Sequence, residues 1–313
     1  MTHPNLTHWD EVDAEEVDVG ELRGRWRDLG SAAGSFRAGV SLAEVAPGAR
    51  STPAHTHADE EELFHVLAGS GLSWQDGVTY AIGAGDCLLH RVHEEAHTLI
   101  AGDEGLTVLA FGPRAESNIT WLSHAGVMRI GPRWLPADVT PYEAEGAAGA
   151  LPVPASPSVP RPATIVALDE VPAAGYDRGR VRQAIRPIGR ALGAETTGLR
   201  HVRIAPGAHG TPHHCHGAEE ELFVVLGGAG EVRLGEERFA VRRGSVVARP
   251  PGTGVAHSFI AGDAGLELLG WGTREPNDIA YYPDSGKVFL CGVGVIGRLE
   301  PTDYWDGEDE PGA

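Results

Sequence analysis

The chain writes one sentence twice: PAHTHADEEELFHVLAGSG at 53–71 and PHHCHGAEEELFVVLGGAG at 212–230. Laid over each other, the halves keep a constant offset. Gly48 and Gly207, Gly69 and Gly228, and Gly85 and Gly244 each differ by 159. After a one-residue insertion near PPGTG the offset becomes 160, as Gly102 and Gly262 show. The repeat runs from about Gly30 and Gly189 to PRAESNITW and TREPNDIAY. A period this long is a duplicated domain rather than a solenoid unit, and 313 residues suffice for two domains with separate cores.

Within each copy, short apolar runs alternate with Gly, Pro and Asp punctuation: ELFHVLAGSG, GDCLLHR and LTVLAFG in the first, ELFVVLGG, RFAVRRG and LELLGWG in the second. These lengths suit strands, and closely spaced turn signals imply a β-sandwich or barrel. The best helical pattern, DEVDAEEVDVGELRGRW, is weak. The Ala- and Pro-rich stretch 143–163 reads as a linker. The expected division is therefore a first barrel over 1–142 and a second over 164–313, with an acidic, frayed tail at DGEDEPGA.

Charge and cysteine usage exclude several partners. A net charge of −19 repels nucleic acid and anionic membranes, and Lys287 is the one lysine in the chain. No segment approaches the roughly 20 apolar residues of a membrane span. The acidic first residues lack the basic and apolar regions of a signal peptide, so a cytoplasmic protein is expected. Three distant cysteines, Cys87, Cys215 and Cys291, offer neither a disulfide framework nor a thiolate zinc site.

Side chains alternate across a strand, so His55 and His57 share one side. Glu62, Phe64 and Val66 share a face on the next run, and His97 follows a third run, GDCLLH. The second copy repeats the set as His214, His216, Glu221 and His257. Three imidazoles and a carboxylate suit a divalent transition ion (Fe, Mn, Ni, Cu, Co or Zn), up to two per chain, with coordination positions left open.

At this point each half resembles a cupin, whose first motif is G-x5-H-x-H-x3,4-E-x6-G. Gly48 to Gly69 and Gly207 to Gly228 fit it with one extra residue after the first glycine. The second motif, G-x5-P-x-G-x2-H-x3-N, is looser. GSVVARPPGTGVAHSFIA has two extra residues before His257 and no closing asparagine. GDCLLHRVHEEAHTLIA puts Arg91 and His93 where the proline and glycine belong. The resemblance implies an all-β chain of two jelly-roll barrels in tandem, a bicupin. It also implies metal ligands at His55, His57, Glu62 and His97, then His214, His216, Glu221 and His257. Within each EEE, the third acid keeps the family's gap to the glycine and alternates inward, whereas Glu61 and Glu220 alternate outward.

Other polar residues read more plainly. His65 alternates away from Glu62, toward the outside or an interface. His90 and His93 sit near the second-motif loop, either at the mouth or facing solvent. His213 aligns with Ala54 and is not expected to bind metal, and Cys215 is expected to be a small buried residue turned away from the metal. Arg114 and Arg274, with Asn118 and Asn277, are expected to pin a returning segment, and Tyr281 and Tyr282 to pack against a strand or subunit.

The expected function is a metal-dependent enzyme on a small, oxygen-rich organic substrate. Dioxygenase chemistry leads, with Glu62 or Glu221 as bound carboxylate or base and Phe64, Val66, Phe223 and Val225 drying the pocket. Two alternatives stand beside it: a non-catalytic small-ligand or sugar binder, and a metal-dependent isomerase or decarboxylase. A homodimer is possible, because barrels of this kind pair at their edges.

Overall fold

The alternation that marks the strands also decides what each strand face touches. The computed structural model describes residues 3–136, 140–154, 157 and 159–308. On the strand Glu62–Gln75, Phe64 and Val66 join an apolar cluster inside the first barrel with Ile82, Leu88, Leu99 and Val108. Leu63, one residue out of phase, joins a different cluster. The second half repeats this: Phe223 and Val225 pack inside, Leu222 and Val224 outside.

Each half is a jelly roll of one large and one small antiparallel sheet. In the first half, Asp86–His90, Glu62–Gln75, His97–Pro113, Ala38–Val45, Leu22–Asp28 and Glu15–Val19 lie side by side, and Val78–Gly83 pairs with the far end of Glu62–Gln75. The small sheet holds Thr56–His57, Ile119–Leu122, Val127–Ile130 and Arg133–Leu135. The second half matches it strand for strand, from Ala174–Arg178 to Val295–Arg298.

The longest strands must bend to wrap a barrel. Glu62–Gln75 slips register against His97–Pro113 between Val66 and Ala68 and again between Gly69 and Gly71. Gly69 has φ +80°, and a Cβ there would meet the Gly105 carbonyl oxygen at 2.1 Å. Gly228 repeats this at φ +73° and 2.2 Å. The closing glycine of the first motif is thus a β-bulge position that only glycine fits.

Three features join the halves. The outward faces share one cluster, in which Leu63, Leu89 and Phe111 of the first meet Leu222, Val224 and Trp271 of the second. Each fully buried leucine contributes about 1.5–3 kcal/mol. The large sheets also trade their last strands. Leu6–His8 pairs with Ser245–Arg249 in the second half, and Ile165–Ala167 pairs with Asp86–His90 in the first. Finally, the middle acids of the two EEE runs clamp the opposite half. Glu61 accepts from the backbone N–H groups of Glu195, Thr196 and Thr197 at 2.7–3.1 Å. Glu220 accepts from Phe36, Arg37 and Ala38 at 2.6–3.2 Å.

Two expectations are corrected. The weak helical pattern at 10–26 is a short 3₁₀ turn, Trp9–Glu11, followed by the hairpin Glu15–Val19 and Leu22–Asp28. Gly20 (φ +60°) makes its turn, and alternation buries Val17 and Leu22. The stretch assigned to the linker opens inside a helix, Pro141–Ala148, capped by Thr140 and carrying a buried Glu145. The tail expected to fray is exposed through 306–308, and residues 309–313 lie outside those described. No helix among the described residues is long and apolar enough to cross a membrane.

Candidate functional site

The register of the sheets brings the eight expected residues into two groups of four. In the first, His55 bridges to His97 across the backbone, and the short strand Thr56–His57 carries its neighbour. The Nε2 atoms of His55, His57 and His97 lie 3.4, 3.5 and 2.7 Å from one atom, Glu62 Oε2. In the second group the Nε2 atoms of His214, His216 and His257 lie 4.0, 3.4 and 3.1 Å from Glu221 Oε2.

Both groups fit a cation better than they fit each other. His57 Nε2, His216 Nε2 and Glu221 Oε2 are buried and have no hydrogen-bond partner. Buried orphan atoms of this kind, nitrogen and carboxylate oxygen facing one point, are what a divalent ion would satisfy. Burial works against His216, yet Asp278 and Glu221 raise it to about 10. His214 is held down at about 3 by burial and by the charge of His257, and His97 at about 3 by burial and His90. Burial opposes ionisation of Glu62 and Glu221, but His57 in one case and Arg200 in the other hold them well below the usual carboxylate range.

The surroundings of the two groups differ. His216 Nδ1 donates to Asp278 Oδ2 at 2.6 Å, which fixes the ring with Nε2 turned toward Glu221. Asp278 is itself fixed by the N–H groups of Ala218 and Glu219 at 2.8 and 3.1 Å. In the first group the counterpart is Asn118. Its amide nitrogen, which donates to Glu60 at 2.7 Å, stands 2.8 Å from His57 Nδ1. Thr120 Oγ1, at 3.3 Å, can accept a proton from that ring nitrogen, and the Glu60 carboxylate lies 3.6 Å from it.

The carboxylates differ too. Arg200 forms a short ion pair with Glu221 Oε1, whereas no arginine pairs with Glu62 among the described residues. His90 and Arg249 occupy matching places, opposite Glu62 and Glu221 in strand register. The His90 ring stacks on His97 with centroids 3.8 Å apart, and Glu95 lies 3.8 Å from its Nδ1. Arg249 is 5% exposed, and its Nε has no partner. Tyr282 stacks on His214 at 5.5 Å.

Several sequence expectations hold in this geometry. His65 is buried between the halves, 3.3 Å from Cys87 Sγ, and burial, then His201, lowers it to about 4. Arg114 binds Asp28 and Ser31, and Arg274 binds the Ala194 carbonyl, so both pin returning segments. His93 is exposed and outside the site, at φ +59° in the place of the motif's glycine. Cys215 is half-buried rather than buried. Asn118 and Tyr282, given packing roles, instead touch the candidate ligands, and Asp278 was missed. The offset of 160 pairs Asn118 with Asp278, not Asn277, which was the available signal.

With this geometry in hand, similarity to known proteins can be weighed. A family model described as a cupin domain matches residues 41–111 and again 200–270. The oxalate decarboxylase of Lactobacillus farciminis, solved as a formate complex, superposes with a TM-score of 0.60 at 18% identity, covering 88% of this chain and 87% of that one. The oxalate decarboxylase of Bacillus subtilis at pH 4.6 gives 0.57 at 17% identity, covering 87% and 78%. At such identities the likeness establishes the fold. Among curated proteins, none matches the chain in sequence.

Proposed function

Because the chain belongs to the cupin superfamily as a tandem bicupin, we propose that it is a metal-dependent enzyme that removes or rearranges a carboxyl group on a small carboxylate substrate. The observation that carries this reading is the convergence of three imidazole nitrogens on one buried carboxylate oxygen, found twice. Support for the reaction class comes from the oxalate decarboxylases that share the fold. His55, His57, Glu62 and His97 would hold one divalent transition ion, and His214, His216, Glu221 and His257 a second. Such an ion supplies Lewis acidity and orients substrate oxygens.

The chain's own groups divide the work. Decarboxylation replaces a C–C bond by C–H at the same carbon, so the centre needs a proton-bearing side chain beside it. His90 provides that in the first half, stacked on His97 with the Glu95 carboxylate beside its Nδ1. Glu62 has no arginine partner among the described residues, whereas Glu221 is tied to Arg200. The first centre is thus the one built for turnover, and the second for holding charge. Dioxygenase chemistry is the second reading, favoured by the apolar wall of Phe64 and Val66 behind the first centre.

The test is elemental analysis of protein purified without chelators or nickel resin, followed by assay of oxalate and related acids for CO₂ release with O₂ uptake monitored. Bound metal with CO₂ release and no stoichiometric O₂ uptake supports the proposal. Stoichiometric uptake would favour the second reading. A chain that carries no metal and cannot be loaded with any would rule out both.

A further inference from the structure

The duplication gives most positions a counterpart in the other half, and at one end of the barrels the counterparts differ in kind. In the first half, the helix Pro141–Ala148 and the residues after it cover this end. Glu145, 1% exposed, places its carboxylate 2.9 Å from Arg50 and 3.1 Å from His124. Trp74 donates its indole N–H to the Pro152 carbonyl at 3.0 Å and packs with Ala54, Ala96 and Leu151. A carboxylate set between two basic side chains closes the first barrel.

In the second half, Arg50, Ala54, Trp74 and Val127 are replaced by His209, His213, Arg233 and Lys287, and His124, which holds Glu145, by the acid Asp284. With Arg180 and Arg238 these line a cavity of about 290 Å³. Acids are few there. Asp284 is held by Arg233 at 2.9 and 3.1 Å, Glu236 also pairs with Arg233, and Glu231 pairs with Arg238. Among the described residues, no carboxylate lies within ion-pair distance of Arg180 or Lys287. His213 is 5% exposed; its Nδ1 is 3.5 Å from Asp284 and its Nε2 has no hydrogen-bond partner. The positive potential is visible on His209, lowered by burial and then by Arg180, Arg238 and Arg233. The cavity also backs onto the second centre, since Lys287 Nζ lies 5.0 Å from the Tyr282 ring that stacks on His214.

We infer that this cavity is a carboxylate-binding site, the open counterpart of the place Glu145 fills in the first half. Arginine, lysine and a buried imidazole line it together, and two of its cations, Arg180 and Lys287, have no carboxylate partner among the described residues. The carboxylate has two possible sources. One is a free small acid. The other is the chain's own segment 300–308, EPTDYWDGE, which is the counterpart of 140–148 and carries Asp303, Asp306 and Glu308. Its Tyr304 and Trp305 are 83% and 70% exposed.

Calorimetric titration with succinate distinguishes these sources, run on the full chain, on a chain ending at Leu299, and on each with Arg180→Gln/Lys287→Gln. Arg180 is exposed and Lys287 half-buried, and neither belongs to a barrel core. We expect succinate to bind the shortened chain and the double substitution to weaken that binding at least tenfold. Equal affinity in the full chain identifies a free acid as the occupant. Binding by the shortened chain alone identifies the segment. Absence of binding in both, or weakening of less than tenfold in the double variant, overturns the assignment. A weakening below tenfold would also locate the succinate elsewhere, for instance at the candidate metal centres, whose chemistry the titration does not test.

Discussion

The two candidate centres use the same four residues on the same strands, yet their neighbours prepare them for different work. The second is surrounded by fixed charge: Asp278 accepts the His216 Nδ1–H hydrogen bond, Arg200 grips Glu221, and Arg249 stands where the first half has His90. The first has the His90 ring and the Glu95 carboxylate beside it, and its His57 leans on an amide and a hydroxyl with the Glu60 carboxylate 3.6 Å away. Duplication preserved the four inward residues and let everything behind them diverge. A matching motif therefore identifies where an ion can sit, while the residues one layer out decide what happens there.

That contrast can be broken most severely by removing it. In His55→Ala/His57→Ala and in His214→Ala/His216→Ala, elemental analysis should show each variant losing its own ion and keeping the other, with turnover abolished by the first pair only. Next in size is the clamp between the halves. Glu61→Ala or Glu220→Ala strips a buried carboxylate from three backbone donors and should cost about 3 kcal/mol, read as a lower urea midpoint. Glu61→Ala should cost the more of the two, since Glu61 also accepts from the Thr196 and Thr197 hydroxyls, where the other half has Arg37 and Ala38.

A third test uses His65. Its folded pKa of about 4 lies below the unfolded value near 6.5, so the unfolded chain binds the proton first as pH falls. The stability this neutral imidazole supplies is complete above about pH 6.5 and is lost as pH drops toward 4. Between pH 7 and 5 the loss should be about 2 kcal/mol, and His65→Gln should flatten the profile; a variant with the same slope would refute the assignment. The smallest effect sharpens the comparison most. Asp278→Asn should lower the second centre's metal affinity about tenfold, and Asn118→Asp should raise the first's by a similar factor. Competition with a metal-binding dye would read both.

Much of this was legible in the sequence, for identifiable reasons. Strand alternation and the repeat placed Glu62 and Glu221 inward and Glu61 and Glu220 outward, because period two is a local property of a strand. What alternation cannot say is what an outward acid meets; the clamp depends on how the halves dock. Asp278 was hidden by a single inserted residue that shifts the pairing of the halves. The helix at 141–148 was hidden because its fixing partner, Arg50, lies far away in sequence. The hairpin at 15–28 was misjudged because acid-rich sequence favours helix locally, whereas pairing with Ala38–Val45 is a tertiary gain.

The traded edge strands carry one more consequence. Asp86–His90 and Ser245–Arg249 each hold one of the site's distinguishing residues, His90 or Arg249, at the strand's last position. Each is flanked on its outer side by a three-residue strand from the other half. Neither half, expressed alone, would own a finished sheet: it would expose a hydrogen-bonding rim beside its own candidate metal centre, open to a second molecule. A gene encoding one half should accordingly yield paired or aggregating barrels, and only the joined chain closes both rims from within.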